Sequence, residues 1–110
     1  MFNFHDKKFR ITFIEGPETE VNKKTIFEFK QDGLLIYANY AGGKVKHGHL
    51  IGIITGNRLS HKYVQVNLAD EINAGEGNSD IRLNGNKLQI VEEWEWASKD
   101  GKGKSIMEEI

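Results

Sequence analysis

The turn dipeptides Asp32-Gly33, Gly42-Gly43, Gly56-Asn57, Ala69-Asp70, Asn84-Gly85 and Asp100-Gly101 recur 10 to 16 residues apart along most of the chain. That spacing fits a strand on each side of a tight turn and leaves no length for a crossover helix, so successive strands must run antiparallel. Residues 9–14, 25–31, 34–40, 44–55, 58–67, 72–83, 87–97 and 104–109 read as these strands, being rich in alternating β-branched and aromatic side chains. No window carries a sustained helical stripe. Residues 15–24, with the only proline, read as one long solvated surface loop. Seven or eight consecutive strands of this kind predict an all-β, antiparallel up-and-down meander. Closing it into a small seven- or eight-stranded β-barrel removes the exposed edges. With 110 residues and no break in composition, a single domain over 1–110 follows.

Hairpin arithmetic assigns the faces. A two-residue loop at Asp32-Gly33 pairs Phe29 with Ile36, Phe27 with Ala38 and Thr25 with Tyr40, an apolar face that turns inward. At Asn84-Gly85-Asn86 two registers are open. Both keep Gly75, Gly77, Ile81, Leu83, Leu88, Ile90, Trp94 and Trp96 on the core face, with the glycines across from the tryptophans, where an indole can cover bare backbone. Glu92 falls on that same face. The hairpin at Gly56-Asn57 has two solutions. A two-residue loop sets Leu50, Gly52 and Ile54 with Tyr63, His61 and Leu59. A three-residue loop brings His47, His49 and Ile51 beside Gln65, Tyr63 and His61, because one residue of slip reverses every side chain.

Several function classes drop out on composition. Fifteen Lys and Arg against 16 Asp and Glu give a net charge of −1, so no global field recruits nucleic acid or an anionic membrane. The longest apolar run, around residues 50–54, is broken by Gly52 and is far too short for a transmembrane helix. Residues 1–8 lack the apolar region of a signal peptide, and the absence of cysteine excludes disulfides, thiolate nucleophiles and Cys-type zinc sites. Together these features suit a cytoplasmic protein with neither a membrane nor a nucleic-acid partner.

Glu92 is the residue most out of place. An isolated buried carboxylate is costly, so it must be paired, protonated or functional. Tyr40, His61, Tyr63, Gln65 and Arg10 are the available partners. A general acid or base there needs a substrate cavity beside it; a structural carboxylate needs only its hydrogen bonds. His47, His49, His61 and Glu92 have the donor types of a zinc or iron site. Only the three-residue turn assembles them, and Lys44 and Lys46 repel a cation, so no metal and no cofactor are expected. Asp100-Gly-Lys-Gly-Lys-Ser105 imitates a phosphate loop, but the glycine required at position 98 is Ser98. Trp94, Trp96, Tyr37 and Tyr40 could stack bases, yet both tryptophans face the core. Ser60, Ser79, Ser98 and Ser105 lie in no nucleophile elbow.

A resemblance enters through four stretches: Tyr40-Ala-Gly-Gly-Lys-Val-Lys-His-Gly-His-Leu-Ile-Gly52, Tyr63-Val-Gln-Val-Asn67, Glu92-Glu-Trp-Glu-Trp96 and Gly103-Lys-Ser-Ile-Met-Glu-Glu109. Over roughly residues 26–110 the chain resembles a group of small bacterial proteins often labelled N-acetylglutamate synthase. The resemblance implies transfer of an acetyl group from acetyl-CoA. That chemistry ordinarily uses a Gln/Arg-x-x-Gly-x-Gly/Ala loop opening a helix. The nearest match, Arg82-Leu-Asn-Gly-Asn-Lys87, departs at its last position and falls in a predicted hairpin.

Two main readings follow. The first is a small-molecule-binding barrel, lipocalin- or avidin-like in architecture, with Glu92, Tyr63, His61, Tyr40 and Trp94 as the ligand-binding set and Phe27 lining the pocket. The second is a structural or protein-interaction module with a filled core, its protein partner unknown. A small enzyme, including the acetylglutamate label, is a third. Interior volume discriminates: a polar-lined cavity of a few hundred Å³ favours the first.

Overall fold

All eight strands form and the sheet closes on itself. The computed structural model describes residues 2–110, so position 1 of the expected domain lies outside the described residues. The strands are β1 (Lys8–Glu15), β2 (Ile26–Asp32), β3 (Leu35–Gly42), β4 (Val45–Thr55), β5 (Arg58–Asn67), β6 (Ile72–Asn84), β7 (Lys87–Trp96) and β8 (Lys102–Glu109). Each pairs antiparallel with the next, and β8 returns to β1. The seam between β1 and β2 is the shortest, with only three paired positions, Lys8 with Glu28 through Arg10 with Ile26.

Glycine chemistry sets the hairpins at one end. Gly33, Gly56 and Gly85 each take the first position of a two-residue loop with φ between 60° and 65°. A positive φ at the first loop residue alone is the II′ pattern that matches strand twist. At the first hairpin this leaves Asp32 inside β2, paired with Leu35, so the loop is Gly33-Leu34. Phe27 therefore pairs with Tyr40 and Phe29 with Ala38, a shift of two residues from the predicted register. Two residues preserve facial parity, and the predicted inward face stands.

At Gly56-Asn57 the two-residue loop forms, pairing Ile54 with Leu59, Gly52 with His61 and Leu50 with Tyr63. His47 and His49 consequently point outward. A bulge between Val45 and His47 turns Val45 back inward. In the β6–β7 hairpin Gly75 pairs with Trp96 and Gly77 with Trp94, as predicted. Leu83 has the predicted parity but is 57% exposed, because it sits by the turn, beyond the packed interior.

The end that carries these three hairpins is plugged from the N-terminus. Phe4 packs against Phe9 and Phe29 with ring centroids 5.5–5.6 Å away, and all three are fully buried. Backbone bonds from Asp6 N–H to Phe29 O and from Phe29 N–H to Lys7 O pin the strap. At the opposite end, residues 15–24 cross the barrel mouth. They are not simply solvated, as the sequence suggested: Glu20 is buried, and its carbonyl accepts the Lys44 N–H at 3.0 Å. The Trp96 indole N–H donates to Pro17 O at 3.3 Å.

Candidate functional site

The two halves of the barrel interior differ in chemistry. Towards the hairpins the core is Phe4, Phe9, Phe29, Ile36, Ile54 and Ile81. Towards the covered mouth the same inward positions carry Tyr40, His61, Gln65, Asn67, Asn73 and Glu92, all buried.

Glu92 faces inward because β7 alternates, and its partners come from both sides. Ser105 on β8, its cross-strand neighbour, donates to Oε1 at 2.7 Å. His61 Nε2 lies 2.5 Å from Oε2. This pair spans β6 and needs a glycine there. A Cβ on Gly77 would lie 2.7 Å from Glu92 Oε2 and equally close to the His61 ring. The predicted cover of Gly77 by an indole is thus corrected: the His61–Glu92 pair occupies that space, while the Trp94 indole packs over Gly16 and Gly103. His61 Nδ1, Ser79 Oγ and Trp94 Nε1 are buried and find no hydrogen-bond partner among the described residues.

Tyr40 is held by packing and by a carboxamide. Its ring stacks on Phe27 at 4.6 Å and lies over Gly48, where any Cβ would collide with it. Its hydroxyl donates to Gln65 Oε1 at 2.7 Å. Burial, reinforced by nearby Tyr63, Glu92 and Glu20, holds that hydroxyl's pKa well above the ordinary tyrosine value. Tyr63 is half-buried and packs edge-on against Trp96 at 5.9 Å. Burial first and the Glu92 charge second push its pKa up as well.

Glu20 closes the mouth. Its carboxylate accepts bonds from Gln65 Nε2 at 2.9 Å, Asn67 Nδ2 at 2.6 Å and Asn73 Nδ2 at 3.1 Å. Between Glu20 and Glu92 lies a cavity of about 40 Å³, walled by Tyr40, Gln65, Trp94 and Trp96. It has room for about three waters.

Of the predicted ligand-binding set, Tyr40, Tyr63, Glu92 and Trp94 line this cavity together with Phe27, and His61 stands behind Glu92. Among the suggested partners of Glu92, His61 alone bonds it directly. Tyr40 and Gln65 bond each other, Tyr63 reaches Glu95 O at 3.5 Å, and Arg10 is exposed. Glu20, Asn67, Asn73 and Ser105 were missed. The alternation of β5, carried past Tyr63 to Gln65 and Asn67, signals two of the cradle's three carboxamides. Nothing local marks Glu20.

The other motifs lie elsewhere. His49 Nδ1 pairs with Asn39 on the outer surface at 2.8 Å, far from the interior His61. No group of three metal-ligating side chains occurs among the described residues. The Arg82–Lys87 stretch is the β6–β7 turn itself, with no helix after it.

A family model described as avidin-like protein matches residues 2–110. The chain belongs to the avidin-like family. No curated protein and no solved structure matches it. The family match takes in the N-terminal strap and the mouth loop, segments that the resemblance over residues 26–110 leaves out. Both plugs are therefore parts of this avidin-like barrel and not appendages to it.

Proposed function

We propose that this avidin-like protein binds a small molecule in the polar half of its barrel, reached through the mouth that residues 16–21 cover. The observation that carries the reading is the convergence of Tyr40, Gln65, Glu92 and the two indoles on one internal cavity, in a barrel whose other half is filled by apolar side chains. An eight-stranded barrel interior is wide enough to be filled or to hold one small ligand. Here each half adopts one of the two solutions. Among the described residues the buried Trp94 Nε1–H, a donor only, has no acceptor. Phe27, Trp94 and Trp96 supply apolar walls, and Tyr40 and Gln65 supply direction.

At about 40 Å³ the cavity is well below the roughly 300 Å³ at which ligand sites begin. Binding therefore requires the loop carrying Glu20 and Val21 to move off the mouth. The same small volume favours the second reading, a filled structural or protein-interaction module. Acetyl transfer is left aside, since no helix N-terminus offers backbone N–H groups to a pyrophosphate.

Native mass spectrometry of the chain purified from its source separates the two, with biotin titration as the first added probe for an avidin-like barrel. A retained small molecule, lost when Trp94 is replaced, is the expected result. A chain that is always bare, and that takes up no added ligand, supports the filled module instead.

A further inference from the structure

The groups that hold Glu20 are oriented independently of it. Gln65 Oε1 accepts the Tyr40 hydroxyl at 2.7 Å. Asn67 Oδ1 accepts the backbone N–H groups of Ala69 and Glu71 at 2.9 and 3.0 Å. Asn73 Oδ1 accepts the Ser98 hydroxyl at 3.1 Å. A carboxamide whose oxygen is engaged presents its NH₂ to whatever lies on the other side. All three NH₂ groups converge on one point, and all three side chains stand on β5 and β6, the barrel wall. Their occupant, by contrast, comes from a loop.

We infer that Gln65, Asn67 and Asn73 form a carboxylate receptor that Glu20 occupies in cis, and that a small external carboxylic acid takes the same place when residues 16–21 lift. Three donors with no free acceptor select a carboxylate over an amide or an ammonium group. Because the donors are neutral, exchange is not opposed by an ion pair. Asn67 Nδ2 also donates to Glu71 Oε1 at 2.9 Å, and that second negative charge weakens the hold on any anion. The tethered Glu20 competes at an effective concentration on the order of millimolar. A free acid therefore succeeds only by adding contacts inside the cavity. That last step rests on the binding reading above; the receptor itself does not.

Chemical rescue tests the receptor. In Glu20→Ala the three donors lose their acceptor, and acetate should raise the thermal midpoint. The expected rise is roughly 5–10 °C at about ten times its dissociation constant. Acetamide at equal concentration, and chloride at equal ionic strength, should not do so, and the wild type should move far less. Equal responses to acetate and acetamide, or an equal response of the wild type, overturn the inference. If Glu20→Ala does not fold, Glu20→Gln keeps the loop's bulk. Acetate should then move the side-chain amide resonances of Gln65, Asn67 and Asn73, and unmoved resonances overturn the inference equally. Rescue by acetate in a protein that never retains a ligand removes the binding reading and leaves the receptor. A retained ligand without rescue does the reverse.

Discussion

Two short segments close the two ends of this barrel by opposite means. The N-terminal strap inserts Phe4 into a phenyl cluster with Phe9 and Phe29. The β1–β2 loop inserts Glu20 into a carboxamide cradle. Withdrawing Phe4 exposes apolar surface, which costs about 25 cal/mol for every Å² returned to water. Withdrawing Glu20 exchanges three hydrogen bonds to its carboxylate for bonds to water, at a net cost of about 1.5–3 kcal/mol each. The apolar floor is thus held by burial and the polar mouth by hydrogen bonds to a carboxylate, two terms of similar size and different kind.

The largest effect expected is at the floor. Phe29→Ala should cost about 3–5 kcal/mol in urea unfolding, and Trp94→Ala, at 6% exposure in the other half, a loss in the same range. A loss below about 1 kcal/mol for Phe29→Ala would dissolve the contrast between the ends.

Glu92→Gln comes next, since both carboxylate oxygens already have protein partners. We expect a loss of about 1–3 kcal/mol, read from denaturant midpoints at constant slope. An unchanged midpoint together with weaker ligand retention would instead assign the carboxylate to the ligand.

The third effect is the alkaline pH dependence contributed by the two tyrosines of the polar half. Tyr40 and Tyr63 both have folded pKa values raised above the ordinary tyrosine value of about 10. Below pH 10 each hydroxyl is protonated in folded and unfolded chains alike, and their contribution is fully present. Above pH 10 the unfolded chain releases protons that the folded chain keeps, so stability falls as pH rises. Tyr40→Phe should flatten that decline in urea melts between neutral and alkaline pH. An identical slope would show that Tyr40 is not the group responsible.

The smallest effect belongs to the exposed Lys30–Asp6 ion pair beside the floor. The hydrogen bond from Lys30 lowers the Asp6 pKa and raises that of Lys30, but both side chains are exposed. Asp6→Asn should leave the unfolding midpoint unchanged within error, as exposed pairs generally do. A clear shift would mean that the strap depends on charge as well as on Phe4.

What the sequence determined by itself is whatever obeys a local period. Side chains in a strand alternate with period two, and glycine at the first loop position dictates a tight hairpin. From these rules came seven or eight strands in a closed meander and the inward parity of Tyr40, Glu92 and Trp94, while the face of His61 and the β6–β7 register stayed open until the structure chose them. Even the misplaced Asp32-Gly33 register kept its faces, because its error was an even number of residues. Tertiary structure alone decided who meets inside. The His61–Glu92 contact joins residues 31 apart in sequence across β6, and the Glu20 contacts span 45 to 53 residues. Those distances are set by closure of the barrel and by the short β1–β2 seam, which sends the intervening loop over the mouth. No local preference of a Glu within Glu18-Thr-Glu-Val21 encodes that destination. Glu20 finds its place only where the closed wall offers three donors at once.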